Sequence, residues 1–389
     1  MKALEFSRKP ARYAAAMIAG ALRPGAGAAV GPLRLRDLDQ PELPADGWVA
    51  LRPRLAGICG SDLSTIDGHS SRYFEPIVSF PFVPGHEVVG DLDDGTRAVL
   101  VPVLHCEVRG ITPPCPGCAA GDVNRCERIA FGHLEPGLQT GFCESTGGGW
   151  SEAMVAHPAQ LVPVPDELGD EAAVMVEPTA CAVHAAEVAV RALDGATEGA
   201  PVVVIGAGTL GLLTIAALPA GRPIITGARY PHQKRLATEL GATTVVGPDE
   251  LNGAVRLATR SMKLGKDHAS GQLAGGAPVV LDCVGSEASL TQALEVVAPG
   301  GTILVVGMPA SVTLDLTGLW HREVALRGVY AYRRQDFDTA LDLVAAEDLG
   351  RLVSATYPLA RYEDAIVHAA DAGRRGAVKI AFDLRKQPR

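Results

Sequence analysis

The 389-residue sequence has no run rich in lysine and arginine, and its 35 Lys and Arg stand against 44 Asp and Glu, a formal net charge of −9. A nucleic-acid partner lacks the electrostatic footprint it would need. Cysteine is sparse as well, at 8 residues, which excludes a disulfide scaffold in a chain this long. Gly and Pro reach 72 of 389 residues, short of a low-complexity composition and enough for many tight turns. No repeat of solenoid period appears. The charge-free stretch from Ala200 to Gly221 has the length of a membrane span, but its internal glycines and Pro219 argue against one. The basic and Ala-rich N-terminus is weakly apolar, and Leu4-Glu5-Phe6 reads as a first strand rather than a secretory leader. The expectation is a cytoplasmic globular protein of two to three domains that binds a small molecule, with neither nucleic acid nor membrane as partner.

The texture of the chain changes near residue 180. Before it lie Pro- and Gly-rich loops and short β-prone runs such as Trp48 to Leu51 and Ala98 to Val103, the pattern of an antiparallel β-rich module. After it, apolar strands at Val202–Ile205, Ile224–Thr226, Val279–Asp282 and Ile303–Val306 alternate with helical stretches. That alternation implies a doubly wound parallel sheet. The last part, with a helix near Phe337–Ala346 and a strand near Val378–Phe382, is expected to close back on the first module. The expected fold class is α/β, with a β-rich domain at 1–179 completed by 333–389 and a dinucleotide-binding domain at 180–332.

The strand Val202–Ile205 runs directly into Gly206-Ala207-Gly208-Thr209-Leu210-Gly211. Glycines there allow a tight turn, and a pyrophosphate rests on the helix N-terminal amides. Seventeen residues past Gly211, where a carboxylate would read a free ribose 2′-hydroxyl, stands Ala228, followed by Arg229. A missing acid beside a guanidinium favours NADP over NAD; the alternative is a solvated Arg229 with relaxed specificity.

Cys59, His86 and Glu177 come from three separate segments and offer S, N and O donors. Glu177 ends an apolar run, where an unpaired carboxylate is costly. Three mixed ligands match a catalytic zinc that keeps one position open, whereas Cys106, Cys115, Cys118 and Cys126, four thiols in 21 residues, suit a closed structural zinc. The alternative for these four is a loop of reduced, unliganded thiols.

Cys59-Gly60-Ser61-Asp62, Gly85-His86-Glu87, the four-Cys lobe, Glu177-Pro178, the Gly206–Gly211 turn, Asp282-Cys283-Val284-Gly285 and Pro299-Gly300-Gly301 occur in the order seen in the zinc-dependent medium-chain dehydrogenase/reductase family, which the chain resembles over nearly its whole length. The resemblance implies a GroES-like catalytic domain built from both chain ends, a central Rossmann domain, a site in the cleft between them and a homodimer or homotetramer. By it, Cys59, His86 and Glu177 take the catalytic metal positions, Glu87 is an outer or alternating ligand, Ser61 receives the substrate proton, and Lys379 is similar to a residue that pairs with the cofactor pyrophosphate, the alternative being a solvated lysine. Glu at the third metal position looks like the polyol and sugar branch. The implied reaction interconverts a secondary alcohol and its ketone or lactone; a biosynthetic carbonyl reductase, a simple alcohol dehydrogenase and a non-catalytic cofactor binder are the rival readings. His69, Tyr73, Phe74 and His105 are candidate pocket residues. Three departures stand out: Thr112 occupies the first lobe position, so Cys106 has to reach across a longer loop; Ser64 replaces an outer relay histidine; and residues 10–31 look like an Ala-rich insertion that reads as a short helix.

Overall fold

The computed structural model describes residues 1–264, 272–309 and 311–385, so the last four residues of the expected C-terminal part lie outside it. The chain forms two compact units, Met1–Glu177 with Tyr332–Arg389, and Pro178–Ala331.

The first unit is built on a seven-stranded sheet in the order Val353–Tyr357, Lys379–Asp383, Val49–Gly57, Val88–Leu92, Arg97–Leu100, Leu161–Pro163, with Met154–Ala156 also paired to Val49–Gly57. All of its pairings are antiparallel except the first, between Val353–Tyr357 and Lys379–Asp383. Ala381 faces Gly57 across the ladder, so the end of the chain completes the sheet begun near residue 50. Leu51, Ala56, Val88, Leu100, Trp150 and Phe382 are among the buried side chains of its core. Lys2–Phe6 and Leu33–Asp37 form a separate hairpin. Between those two strands, the Ala-rich stretch folds as the helix Pro10–Leu22 and the short turn Gly27–Val30; a proline in the first turn and a run of alanines favour a helix there.

The second unit is a six-stranded sheet, parallel throughout, in the order Thr244–Val246, Ile224–Gly227, Val202–Ile205, Ala277–Asp282, Val297–Val305, Ala325–Gly328. Numbered along the chain this is 3-2-1-4-5-6, the Rossmann order. Val202–Ile205 and Ile224–Gly227 are buried at every position, as expected for strands covered on both faces. Among the described residues no helix is long and apolar enough to cross a membrane; the apolar stretch after Gly199 resolves into a strand, a turn and the nine-residue helix Thr209–Ala217.

A charged cluster ties the C-terminal end of the first unit to its sheet. Asp170, 4% exposed, accepts from Arg54 Nε at 2.9 Å, Arg97 Nη1 at 3.0 Å and Arg385 Nη1 at 2.7 Å. Burial alone would raise this carboxyl, but the three guanidinium groups hold it below its usual range. A depressed folded-state value means that the stabilisation is present above the ordinary carboxylate range and is lost as pH falls through the folded value. Asp170→Asn is expected to lower unfolding stability at neutral pH by about 2–3 kcal/mol, the arginines being exposed enough to rehydrate. Urea melts at pH 7 and pH 3 check it: the gap between wild type and variant should narrow at the lower pH.

Candidate active site

Cys59 follows directly on the strand Val49–Gly57 and Ile58, and caps the helix Gly60–Ile66. Asp62, three residues on, reaches back so that its Oδ2 accepts from the Cys59 backbone N–H at 3.0 Å, the reciprocal half of an N-terminal capping box. Its other oxygen lies 3.6 Å from His86 Nδ1, ion-pair distance but longer than a hydrogen bond. Both of these atoms are buried with no hydrogen-bond partner. The His86 ring also bonds the Cys59 side chain, so Nδ1 faces the carboxylate and Nε2 is left for the thiol. A carboxylate behind an imidazole fixes its tautomer and leaves the opposite nitrogen to bind a metal.

Glu87 and Lys379 stand next to these two ligands. They form an ion pair in which both side chains are almost wholly buried, and Lys379 Nζ donates to the Ile58 carbonyl at 3.2 Å. Gly57 makes the pair possible: a Cβ there would lie 1.9 Å from Glu87 Oε2 and 2.9 Å from Lys379 Cε. Burial would lower the lysine, but Glu87, Cys59 and Glu177 raise it, so Lys379 stays charged and is not a solvated surface lysine. Glu177, in the first turn of the helix Val176–Ala192 and 5% exposed, completes the group. Burial pushes its carboxyl up, against the pull of His86 and Lys379, and Tyr332 bonds its side chain.

The chemistry of this donor set suits a divalent cation, although its three ligand atoms do not, unlike the lobe thiols, all lie within 4.8 Å of one another. Burial alone would lower His86, yet Asp62, Cys59 and Glu177 outweigh it and hold the imidazole up to about 10; a metal ion would meet the same negative field that draws in that proton. Ser61 is half-buried, one residue before Asp62 in the same helix.

The four lobe thiols converge. The sulfurs of Cys106, Cys115, Cys118 and Cys126 all lie within 4.8 Å of one another, with Cys106 and Cys126 3.7 Å apart and Cys115 and Cys126 4.0 Å apart. Zinc–sulfur bonds of about 2.3 Å in a tetrahedron give sulfur–sulfur edges of about 3.8 Å. Cys106 therefore reaches the other three sulfurs across the longer loop. Beside the cluster is Arg109, 1% exposed, whose guanidinium donates to five backbone carbonyls, those of Leu104, Phe131, Leu134, Glu135 and Gly137. Burial lowers it, while the sulfurs of Cys143, Cys126 and Cys106 pull it back up. His105 is buried in the same lobe, and its carbonyl accepts the Arg109 N–H.

In the second unit the glycine turn meets its own geometric demands. Gly206 has φ 93°, and a Cβ on Gly211 would lie 1.9 Å from the Gly206 carbonyl oxygen. Gly208 is different: a Cβ there would meet nothing within 4 Å, so protein packing does not require glycine at that position, and close approach of a ligand is the remaining reason for it. Thr209 and Leu210 open the helix Thr209–Ala217. Ala228 is wholly buried just past the strand Ile224–Gly227, its N–H donating to the Val246 carbonyl at 2.9 Å, and Arg229 next to it is exposed.

The comparisons with known proteins bear on the family and the fold. Residues 45–166 match the alcohol dehydrogenase GroES-like domain, and residues 206–346 match the zinc-binding dehydrogenase family. The chain belongs to the zinc-dependent medium-chain dehydrogenase/reductase family. It is 29% identical over 327 residues to a protein named Probable D-xylulose reductase A in Aspergillus fumigatus, covering 81% of this chain and 83% of that one. It is 28% identical over 354 residues to L-idonate 5-dehydrogenase of Vitis vinifera, covering 86% and 88%. Among solved structures, galactitol-1-phosphate dehydrogenase from Escherichia coli superposes with a TM-score of 0.70 at 20% identity, over 98% of this chain and all of that one. The expected GroES-like and Rossmann folds are thus both present, and the family is one of oxidoreductases.

Asp62 is the functional residue that reading the sequence passed over. Its signal was available: a carboxylate three residues after a helix-capping position, adjoining a candidate ligand. For the lobe, Cys115→Ser is expected to remove about one equivalent of tightly held zinc and to lower the melting temperature, because a closed site orders a loop that has little regular structure. Metal analysis after dialysis, paired with a thermal melt, checks this.

Proposed function

We propose that the protein is a zinc-dependent, NADP-preferring dehydrogenase that interconverts a secondary alcohol on a polyol, sugar or related polar molecule and its ketone or lactone. The observation that carries this reading is the burial of His86 and Glu177 next to a half-buried Cys59, with Asp62 behind the imidazole. The names of the relatives, a xylulose reductase and an idonate dehydrogenase, support the substrate class.

Zinc held by Cys59, His86 and Glu177 would supply Lewis-acid polarisation of the substrate oxygen, and a nicotinamide would accept the hydride. The chain's own residues do the rest. Ser61 Oγ accepts the hydroxyl proton as the alcohol is oxidised and passes its own proton on to water, so that the serine stays neutral. Asp62 keeps Cys59 and His86 in alignment, and the Glu87–Lys379 pair fixes the backbone on either side of them. The lobe cysteines would hold a second, structural zinc. The amides after Gly206 and Gly208 would receive the cofactor pyrophosphate, while Lys379 serves in its buried pair with Glu87. For assembly, the edge strand Ala325–Gly328 is exposed at all four positions, and Trp320, Leu326 and Tyr330 near it are 78%, 43% and 46% exposed; an unpaired edge with apolar neighbours suits a two-fold homodimer.

The test is a screen over polyols and aldoses read by NADPH absorbance, with Cys59→Ala as control. Wild type is expected to turn over at least one polyol, and Cys59→Ala to lose turnover while keeping cofactor binding, because the glycine turn lies in the other unit. Full activity in zinc-depleted Cys59→Ala protein would overturn the mechanism.

Cofactor choice is tested separately. A hydrogen bond to a charged group contributes about 1.5–3 kcal/mol, so Arg229→Ala is expected to weaken NADP by about 10- to 150-fold and to leave NAD nearly unchanged. Ala228→Asp is expected to shift preference toward NAD by repelling the phosphate. The measurement is kcat/KM for both cofactors; equal values in wild type, unmoved by Arg229→Ala, would contradict the reading.

A further inference from the structure

The proposed reaction leaves residues 10–31 without a role, and Asp67 shows what they are attached to. Asp67 closes the helix Gly60–Ile66 at its C-terminal end and is only 6% exposed. A buried carboxylate facing the negative end of a helix is doubly unfavourable unless something compensates. Two backbone N–H groups of the insertion do so: Gly25 N donates to Asp67 Oδ2 at 2.7 Å and Gly27 N to Oδ1 at 2.9 Å.

The fit around this contact is close. A Cβ on Gly27 would lie 2.3 Å from the Ile66 carbonyl oxygen, and one on Gly20 would lie 2.6 Å from Asp67 Cβ. Met17 packs on Gly68 so tightly that a Cβ on that glycine would be 2.4 Å from Met17 Cγ. On its other side the insertion abuts the helix Tyr362–Ala370, where a Cβ on Gly25 would lie 2.9 Å from Val367 Cα. Arg8, just before the insertion, pairs with Glu75 at 2.9 Å.

What is held in this way is the helix that begins beside Cys59 and carries Ser61 and Asp62, together with the segment that follows. The two are knitted to each other: Thr65 Oγ1 donates to the Ser61 carbonyl at 2.9 Å and shares a 2.8 Å hydrogen bond with Ser70 Oγ, and His69 N–H donates to the Ser64 carbonyl at 2.7 Å. A shift at Asp67 is therefore felt at Ser61 one way along the chain and at His69 the other.

We propose that residues 10–31 are a clamp on the helix Gly60–Ile66 and that Asp67 is a positioning residue, acting through that helix on the alignment of Cys59 and Ser61. The proposal rests on the roles given to Cys59 and Ser61 above, so its test needs one readout that uses turnover and one that does not.

Asp67→Ala and Asp67→Asn are made in the full-length protein, with Ile18→Ser on the exposed side of the insertion helix as control (Ile18 is 68% exposed). Misplacement of reacting groups by about 1 Å costs on the order of 100-fold, so kcat of Asp67→Ala is expected to fall by about 10- to 100-fold while the Kd for NADP stays within about twofold. Asp67→Asn, which keeps one acceptor oxygen, should fall in between, and Ile18→Ser should match wild type. Independently of any substrate, iodoacetamide labelling of Cys59 in the purified protein, located by mass spectrometry, should be several-fold faster in Asp67→Ala and intermediate in Asp67→Asn. Should Asp67→Ala not fold, Asp67→Asn carries both comparisons. Faster labelling in a protein whose wild type oxidises no alcohol would uphold the clamp and sink the functional reading. Unchanged labelling and unchanged kcat alongside a lowered melting temperature would overturn the proposal and leave the insertion a stabilising element only.

Discussion

The ion pair between Glu87 and Lys379 is buried on all sides, and three stretches of chain depend on it. Glu87 follows His86, Lys379 Nζ bonds the carbonyl before Cys59, and 321 residues separate Lys379 from that carbonyl. Two buried charges repay their desolvation only when geometry is good and further hydrogen bonds are met, and removing one partner of such a pair typically costs about 3–5 kcal/mol. The pair thus demands that the C-terminal strand lie beside Val49–Gly57 in one register, and the absence of a side chain at Gly57 gives it room. With the backbones of residues 57–59 and 85–87 fixed on one side, Asp62 trims the two candidate ligands from the other.

The lobe reaches order by a different route. It has short helical turns and little regular structure between Cys106 and Cys126, so its geometry is set by four converging sulfurs and by Arg109. A guanidinium satisfied by five carbonyls has its hydrogen bonds met but not its charge. Four thiolates around a divalent ion carry net charge −2, and Arg109 stands where such a charge would be balanced. The same cation threads the loop that runs from Phe131 to Gly137, so it serves the lobe mechanically as well as electrostatically.

The Rossmann unit was legible from the sequence because its signals are local: strand, glycine turn and helix follow one another within about 16 residues, and apolar runs mark buried parallel strands. The metal-ligand candidates were legible by residue type, since a thiol, an imidazole and an acid in apolar surroundings call for an explanation. What tunes them was not. Glu87 and Lys379 meet across most of the chain, and nothing near either residue specifies the other. Lys379 read as a pyrophosphate partner or a solvated lysine for that reason. The insertion read as an Ala-rich helix, but its docking on Asp67 uses backbone N–H groups, which leave no trace in side-chain pattern. Cys106 is an intermediate case: its type was visible, while its reach across the longer loop depends on the turn that Arg109 holds.

The claim on which the account depends is that this chain holds two zinc ions in unlike surroundings, one among four sulfurs and one at Cys59, His86 and Glu177. Zinc K-edge X-ray absorption on the metal-replete protein, normalised to metal content, tests it directly. The account predicts about two zinc ions per chain sharing five sulfur ligands at about 2.3 Å, with nitrogen and oxygen ligands at about 2.0–2.2 Å making up the remainder. About one zinc per chain with a pure four-sulfur shell would contradict it, because the site around Cys59 would then hold no metal.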